Sequence, residues 1–322
     1  MNRIADYSNV FDGINAWTGL VPRGYLVDFV GTLTDANFRV MFGVNPAEVG
    51  GGYQETRLPT IADGEGWFEA VNWIVAARTA REHFSMITLG ACYGAQAVGS
   101  HRALQHLNPM PYKLVAVEPE PDNYEWVRRH MRDNGIDPDD QWLIKCAISA
   151  ANDPVLFPIG SPGSGAQNCV ATNEDLSRML YAEEIIAAGR ADETLRNIMT
   201  TNSTGIMKDL VPGENFPAEI KMVSAVTLRD VLGPFDVVDY LESDIQQSEI
   251  LVFPPYMELV KQKVRRVHIG THGADVHNTL LKLFQKDGWD VVFNYAPNAT
   301  YETALGSFST NDGVLTVRNP NL

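Results

Sequence analysis

The chain has 322 residues, with 25 Lys+Arg against 40 Asp+Glu and a formal charge of −15. Its 45% hydrophobic and 20% charged residues make a globular composition and exclude a disordered or coiled-coil chain. The acidic balance disfavours broad nucleic-acid or anionic-membrane surfaces, because capturing phosphates by counterion release needs a basic face. Cys92, Cys146 and Cys169 are far apart, with no Cys-x-x-Cys pair, which suits a reducing compartment and offers no zinc framework. The first residues lack an apolar signal region, and no apolar run approaches the ~18 residues of a membrane span. A soluble cytoplasmic protein is expected, built as one large α/β domain with decorations or as two small domains.

Residues 1–65 contain a hairpin-like stretch, Tyr25–Val30, Gly31, then Phe38–Phe42, followed by a loop at Gly50-Gly51-Gly52. From residue 66 the chain alternates apolar runs with amphipathic stretches. Trp67, Val71, Ile74 and Val75 share one helical face, and Phe84–Leu89 reads as a buried strand. Lys113–Val117 and Trp142–Lys145 are the next strands, with Tyr124, Val127 and Met131 on a helix between them. Residues 160–222 interrupt this rhythm and are too long for an ordinary connection, so a lid or a mobile insertion is expected. The insertion contains a helix-like acidic stretch from Asn173 to Asn197, and a lid is the favoured reading because long insertions of this kind often gate substrates. Strands at Val237–Leu241, Val264–Ile269 and Val291–Phe293 follow, with a helical stripe of Val276, Leu280, Leu283 and Phe284 closed by Gly288. Strands alternating with helices predict a mostly parallel sheet covered on both faces.

In such a sheet, ligands bind beyond the carboxyl ends of the strands, where strand order reverses. The first strand runs into Gly90-Ala91-Cys92-Tyr93-Gly94, where glycines permit a tight turn and close backbone approach to a ligand. The second ends in Glu118-Pro119, placing an acid where it accepts both hydroxyls of a ribose. Cys92 breaks the G-x-G-x-x-G dinucleotide fingerprint, and no G-K-[ST] follows, so pyrophosphate cradles are excluded. S-adenosylmethionine carries no phosphate and needs only a glycine bend and a ribose acid; it is the favoured cofactor.

Together Gly90-Ala91-Cys92-Tyr93-Gly94, Glu118-Pro119, Asn134-Gly135, Cys146-Ala147-Ile148-Ser149 and Asp244-Ile245-Gln246-Gln247-Ser248-Glu249 resemble the FkbM-type family of S-adenosylmethionine-dependent methyltransferases. His268-Ile269-Gly270-Thr271-His272-Gly273, Gly288-Trp289 and Asp312-Gly313 resemble one branch of that family. The resemblance covers residues 66–322. It implies a Rossmann-like class I methyltransferase fold, α/β with a mostly parallel seven-stranded sheet and helices on both faces, plus an N-terminal extension and the lid-like insertion. Gly90, Ala91, Cys92 and Gly94 would wrap the methionine end of the cofactor. Glu118 and Pro119 would meet the ribose, with Cys146 and Ala147 bordering the adenine. Two positions depart from the family pattern: Thr88 replaces an acid that helps orient the methionine amino group, and Gln247 replaces a glycine.

Methyl transfer to a hydroxyl needs positioning and a base beyond the fourth or fifth strand. Asp244 and His272 are the expected catalytic pair, since histidine titrates near operating pH and a carboxylate can orient it. The bland alternatives are a turn cap at His272 and a helix cap at Asp244. His268 alternates with apolar residues and reads as a buried strand histidine. Asp239 falls on the opposite strand face from Glu242 and Asp244, which weakens a metal site there, and none is expected. Glu249 reads as a loop-pinning residue, and Glu55 and Glu69 as candidate contacts to the cofactor or lid, with solvated surface as the stronger reading. The expected partner is a small-molecule substrate methylated on oxygen, a sugar or secondary metabolite, with no nucleic acid and no membrane; a homo-oligomer is compatible with the sequence. N-methylation of a peptide or amine, and a silent S-adenosylmethionine-binding module, are the alternatives.

Overall fold

A computed structural model describes residues 3–159 and 219–322. Nearly all of the 160–222 insertion, its acidic stretch included, lies outside the described residues, as does Cys169. In the N-terminal segment β1 (Thr18–Val21) and β2 (Tyr25–Val27) are followed by β3 (Leu33–Asp35) and β4 (Gly52–Glu55). β2 pairs with β3 and β1 with β4, both antiparallel. The hairpin expected from Tyr25 therefore exists, but its second arm is β3, and Phe38–Phe42 belong to a 3-10 helix over Ala36–Phe42. The cause is local. The Asp35 carboxylate accepts the Asn37 N–H to start the turn, and Gly43 at φ 79° ends it.

α1 (Glu65–Thr79) leads into β5 (Phe84–Leu89), α2 (Ala95–Leu107), β6 (Tyr112–Val117), α3 (Pro121–Asp133) and β7 (Trp142–Ile144). Short β8 (Ala147–Ile148) pairs with β11 (Ala225–Val226), and β9 (Val155–Ile159) with β10 (Glu219–Val223). α4 (Leu228–Leu232), β12 (Tyr240–Ser243), α5 (Glu249–Val252), α6 (Met257–Lys263) and β13 (Arg266–Thr271) come next. α7 (Ala274–Lys286), β14 (Asp290–Tyr295), β15 (Ala299–Thr303), β16 (Gly306–Thr310) and β17 (Gly313–Arg318) complete the described order.

The main sheet has seven strands in the order β14-β17-β13-β12-β5-β6-β7. All run parallel except β17, which is antiparallel to both neighbours. This is the Rossmann-like, mostly parallel seven-stranded sheet of the expectation. From the β5–β12 pair the chain runs outward through β6 and β7 on one side and through β13 on the other, so the switch point lies there, where an open α/β sheet holds its ligand. One face packs Phe84, Met86 and Tyr240 under α1 and α2; the other packs Ile87, Leu241 and Val267 under α4, α6 and α7. The expected strand at Val237–Leu241 sits three residues later, because Val237 and Val238 precede the ladder and the strand proper is Tyr240–Ser243. No helix among the described residues is long and apolar enough to cross a membrane.

Candidate functional site

The turn after β5 closes tightly: Gly90 and Ala91 N–H both donate to the Val117 carbonyl, at 3.0 and 3.1 Å. Gly90 has φ +79°, and a Cβ there would stand 2.1 Å from the Asp244 carbonyl oxygen. Glycine is therefore demanded twice, by conformation and by the approach of the β12 loop. Cys92 holds φ 50°, a left-handed backbone that a side chain disfavours. Its N–H donates to Glu118 Oε2 at 2.7 Å, while Glu120 N–H donates to Oε1 at 2.9 Å. These bonds aim a buried carboxylate at the switch point. Burial pushes Glu118 up to about 8, against the pull of the two N–H donors. The Glu120 carboxylate accepts the Asn123 N–H at 2.5 Å and caps α3, whose first residue is Pro121. The Glu-Pro segment is thereby locked directly after its strand.

Gly90, Cys92, Glu118, Pro119, Ala147 and Asp244 line one cavity beyond the β5 and β6 ends. The remaining expected cofactor residues lie beside it. Ala91 is buried in the core under α1 and α2, and Gly94 (φ +82°) precedes α2 and packs against Val127. Cys146 is half-buried one residue before β8 and does not line the cavity. Ile148, Phe157, Asn123, Ile245, Gln246 and Ser248 complete the wall. Of these, Ile148, Ile245, Gln246 and Ser248 lay inside sequence motifs but had no role assigned; Phe157, from the β9 hairpin, carried no signal. The Cys92 thiol is pushed up to about 12 by burial and by the Glu118 charge, which removes it as a nucleophile.

Across the cavity mouth, Asp244 and His272 meet: Oδ1 stands 3.3 Å from Nε2. Gln246 Nε2 bridges them, 3.0 Å from Asp244 Oδ1 and 2.8 Å from His272 Nε2. Asp312 Oδ1 approaches the same nitrogen at 3.6 Å. Burial works against the imidazolium, yet Asp244, Asp312, Glu249 and Glu65 outweigh it and raise the His272 pKa above its ordinary value. Asp244 does not cap α5; its side chain bonds Gln246, and the N-cap position is Ser248. Glu249 pins the loop, its Oε1 accepting the Ile245 N–H at 2.8 Å. Gln246 and Gln247 both hold left-handed backbones, φ 51° and 76°, which explains the glycine that the family pattern places at 247.

His268 is buried in β13, with Nδ1 2.8 Å from Thr316 Oγ1, as a strand histidine should be. Asp239 accepts the Ser85 N–H and pairs with Arg265 at 2.8 Å, on the far side from the cavity. Among the described residues, no group of three or more His, Cys, Asp or Glu is arranged to hold a metal ion. Glu55 is exposed on β4. Glu69 corrects the expectation of solvated surface: it is half-buried, and burial with the neighbouring Glu65 and Asp244 charges pushes it up to about 7. Glu65 Oε1 accepts the Asn311 and Asp312 N–H groups at 3.1 and 3.0 Å, tying α1 to the β16–β17 turn.

No family model matches the chain. It is 24% identical over 262 residues to a protein of Jannaschia sp. (strain CCS1) named "Putative methyltransferase", covering 81% of this chain and 80% of that one. Among solved structures, it is similar to a precorrin-6y C5,15-methyltransferase from Geobacter metallireducens GS-15, with a TM-score of 0.38, 7% identity and coverage of 78% and 86%. It is also similar to methyltransferase FkbM from Methylobacillus flagellatus KT, with a TM-score of 0.39, 10% identity and coverage of 81% and 56%.

Proposed function

We propose that this chain is an S-adenosylmethionine-dependent methyltransferase of FkbM type, acting in the cytoplasm on a hydroxyl of a small molecule such as a sugar or secondary metabolite. The observation that carries this is the juxtaposition at the switch point. A glycine turn is held open against the Asp244 backbone, a buried Glu118 is fixed beside it, and an Asp244–His272 pair stands opposite. The residues fit the cofactor. Glu118 keeps lone pairs for two ribose hydroxyls after accepting its two backbone N–H groups, and Ala147, Ile148 and Phe157 offer an apolar wall for adenine.

Bound S-adenosylmethionine supplies an electrophilic methyl group on a sulfonium. The chain's part is to hold the acceptor in line behind that methyl and to take its proton. His272 is the receiving residue: Gln246 holds its ring while the imidazole is neutral, and the Asp244 and Asp312 carboxylates stabilise the imidazolium that forms. A second reading, N-methylation of an amine, draws on the carboxylates of Glu65, Asp244 and Asp312 around His272, which favour a cationic acceptor. The net charge of −15 supports a small acceptor over a nucleic acid.

Calorimetric titration with S-adenosylmethionine, S-adenosylhomocysteine and NAD tests the cofactor: both sulfur compounds should bind and NAD should not. Failure of both to bind overturns the proposal. Transfer of labelled methyl across a panel of hydroxyls and amines then separates the two acceptors, and binding with no transfer to any of them favours a silent module.

A further inference from the structure

The row of the sheet just below the cavity is polar across four strands. Thr88 pairs in register with Glu242, Glu242 with His268, and His268 with Thr316, all on the face under α1 and α2. On the opposite face the neighbouring row is apolar, with Leu89 and Ile269 flanking only Ser243. Glu242 is 4% exposed, and its Oε2 accepts the Thr88 hydroxyl. Among the described residues, no Lys, Arg or His forms an ion pair with this carboxylate. His268, on its other side, is pushed down to about 3 by burial, so its ring is neutral and spends Nδ1 on Thr316. Arg266 turns away, donating to Asn72 and lying over the Tyr7 ring.

The charges that do surround Glu242 are negative: Asp244, Glu69 and Glu249. Burying a carboxylate without a cationic partner is expensive, and like charges add to the expense. Such an arrangement persists where a ligand completes it. Glu242 lies two residues before Asp244, and its ladder partner Thr88 lies two residues before Gly90, so the carboxylate stands on the rung below two residues that line the cavity. A cation seated there would meet Glu242, on which the Glu69 charge also acts.

We propose that Glu242 is the anchor for the α-ammonium of the cofactor's methionine end, standing one strand across from the position where the family pattern carries its acid, with Thr88 as the hydroxyl that orients it. This rests on the cofactor assignment above. It also turns the Thr88 departure from a sign of decay into half of a relocated site: the carboxylate has moved along a ladder rung from β5 to β12, and the hydroxyl has taken its place.

The test is calorimetric binding, with no turnover required. S-adenosylhomocysteine is compared with an analogue carrying hydrogen in place of the α-amino group. The native chain should prefer S-adenosylhomocysteine by about tenfold to a hundredfold, as a charge-assisted hydrogen bond gives. E242Q, nearly isosteric and still able to accept from Thr88, should abolish that preference and leave affinity for the analogue within about twofold. The double variant T88E with E242T, which returns the carboxylate to β5, should restore the preference. If E242Q keeps the preference, or weakens both ligands alike, the proposal falls while the cofactor assignment stands. If the native chain binds S-adenosylhomocysteine without preferring it to the analogue, the ammonium has no anchor and the proposal falls without any variant. If it binds neither ligand, the cofactor assignment itself fails and takes the anchor with it.

Discussion

The two halves of the cavity rim are built alike and charged differently. On the β5–β6 side a left-handed non-glycine residue, Cys92, donates its N–H to one buried carboxylate, Glu118. On the β12–β13 side two such residues, Gln246 and Gln247, sit in a loop pinned by another, Glu249. The first half satisfies both oxygens of its acid with backbone donors. The second gathers Asp244, Glu65, Asp312 and Glu249 around one histidine, with Glu249 Oε2 left without a hydrogen bond among the described residues. Fixed donors suit holding a ligand, and a surplus of coupled charge suits moving a proton.

Substitutions on the two sides should therefore fail in different ways. The largest effect is expected from H272A, which should lower turnover by about 10²–10⁴-fold while cofactor affinity stays within about twofold. A loss of affinity with turnover spared would merge the two halves. E118A should do the reverse, weakening S-adenosylhomocysteine binding by about 1.5–3 kcal/mol in calorimetry; an unchanged affinity would remove the ribose contact. Next comes pH. Glu118 at about 8, and Glu69 and Glu249 at about 7, keep protons in the folded chain that the unfolded chain releases near 4.5. Stability from these groups is thus lost as pH rises through that window, and the raised His272 acts in the same sense. His101 and His130 at about 4, and His268 at about 3, oppose this only below about 6.5, where the unfolded chain takes up their protons. The melting temperature should accordingly fall between pH 6.5 and 8.5, and saturating S-adenosylhomocysteine should shrink the fall. A melting temperature that rises over that interval would contradict the assigned burial of these carboxyls. The smallest effect is Q247G, which relieves a left-handed glutamine and should raise stability by up to about 1 kcal/mol in chemical denaturation, without changing the ligand preferences of the first half.

Much of this frame was legible in residue order, for identifiable reasons. β5 is a run of six buried residues and β6 is nearly as apolar, so both stood out. The glycine turn and Glu118 followed from their ends. β12 was harder, because half of Tyr240–Ser243 is polar and the more apolar Val237 and Val238 lie just before it. Glu242 reads in sequence only as a weak metal candidate beside Asp244, because the rung it shares with Thr88 joins positions 154 residues apart. The second hairpin arm was misplaced because Phe38, Val40 and Phe42 alternate like a strand, while an Asp35 side-chain bond two residues long turns the chain into a 3-10 helix. Of the expected pair Cys146 and Ala147, the first stands one residue before the short strand and the second begins it and lines the cavity.

The antiparallel strand β17 has a consequence for how the molecule is made. It wedges between β13 and β14, both of which precede it in the chain. Synthesis runs from the amino end, so until Gly313–Arg318 emerge, β13 and β14 each present an open edge with unpaired backbone groups. The Thr271 and Asp312 neighbourhood that sets His272 in place would then be assembled only on that last insertion, since β17 opens at Gly313 against Thr271. A nascent chain halted near residue 300 would carry the glycine turn and Glu118 yet lack the strand that joins its sheet, making it a template for pairing with other chains before it is a catalyst.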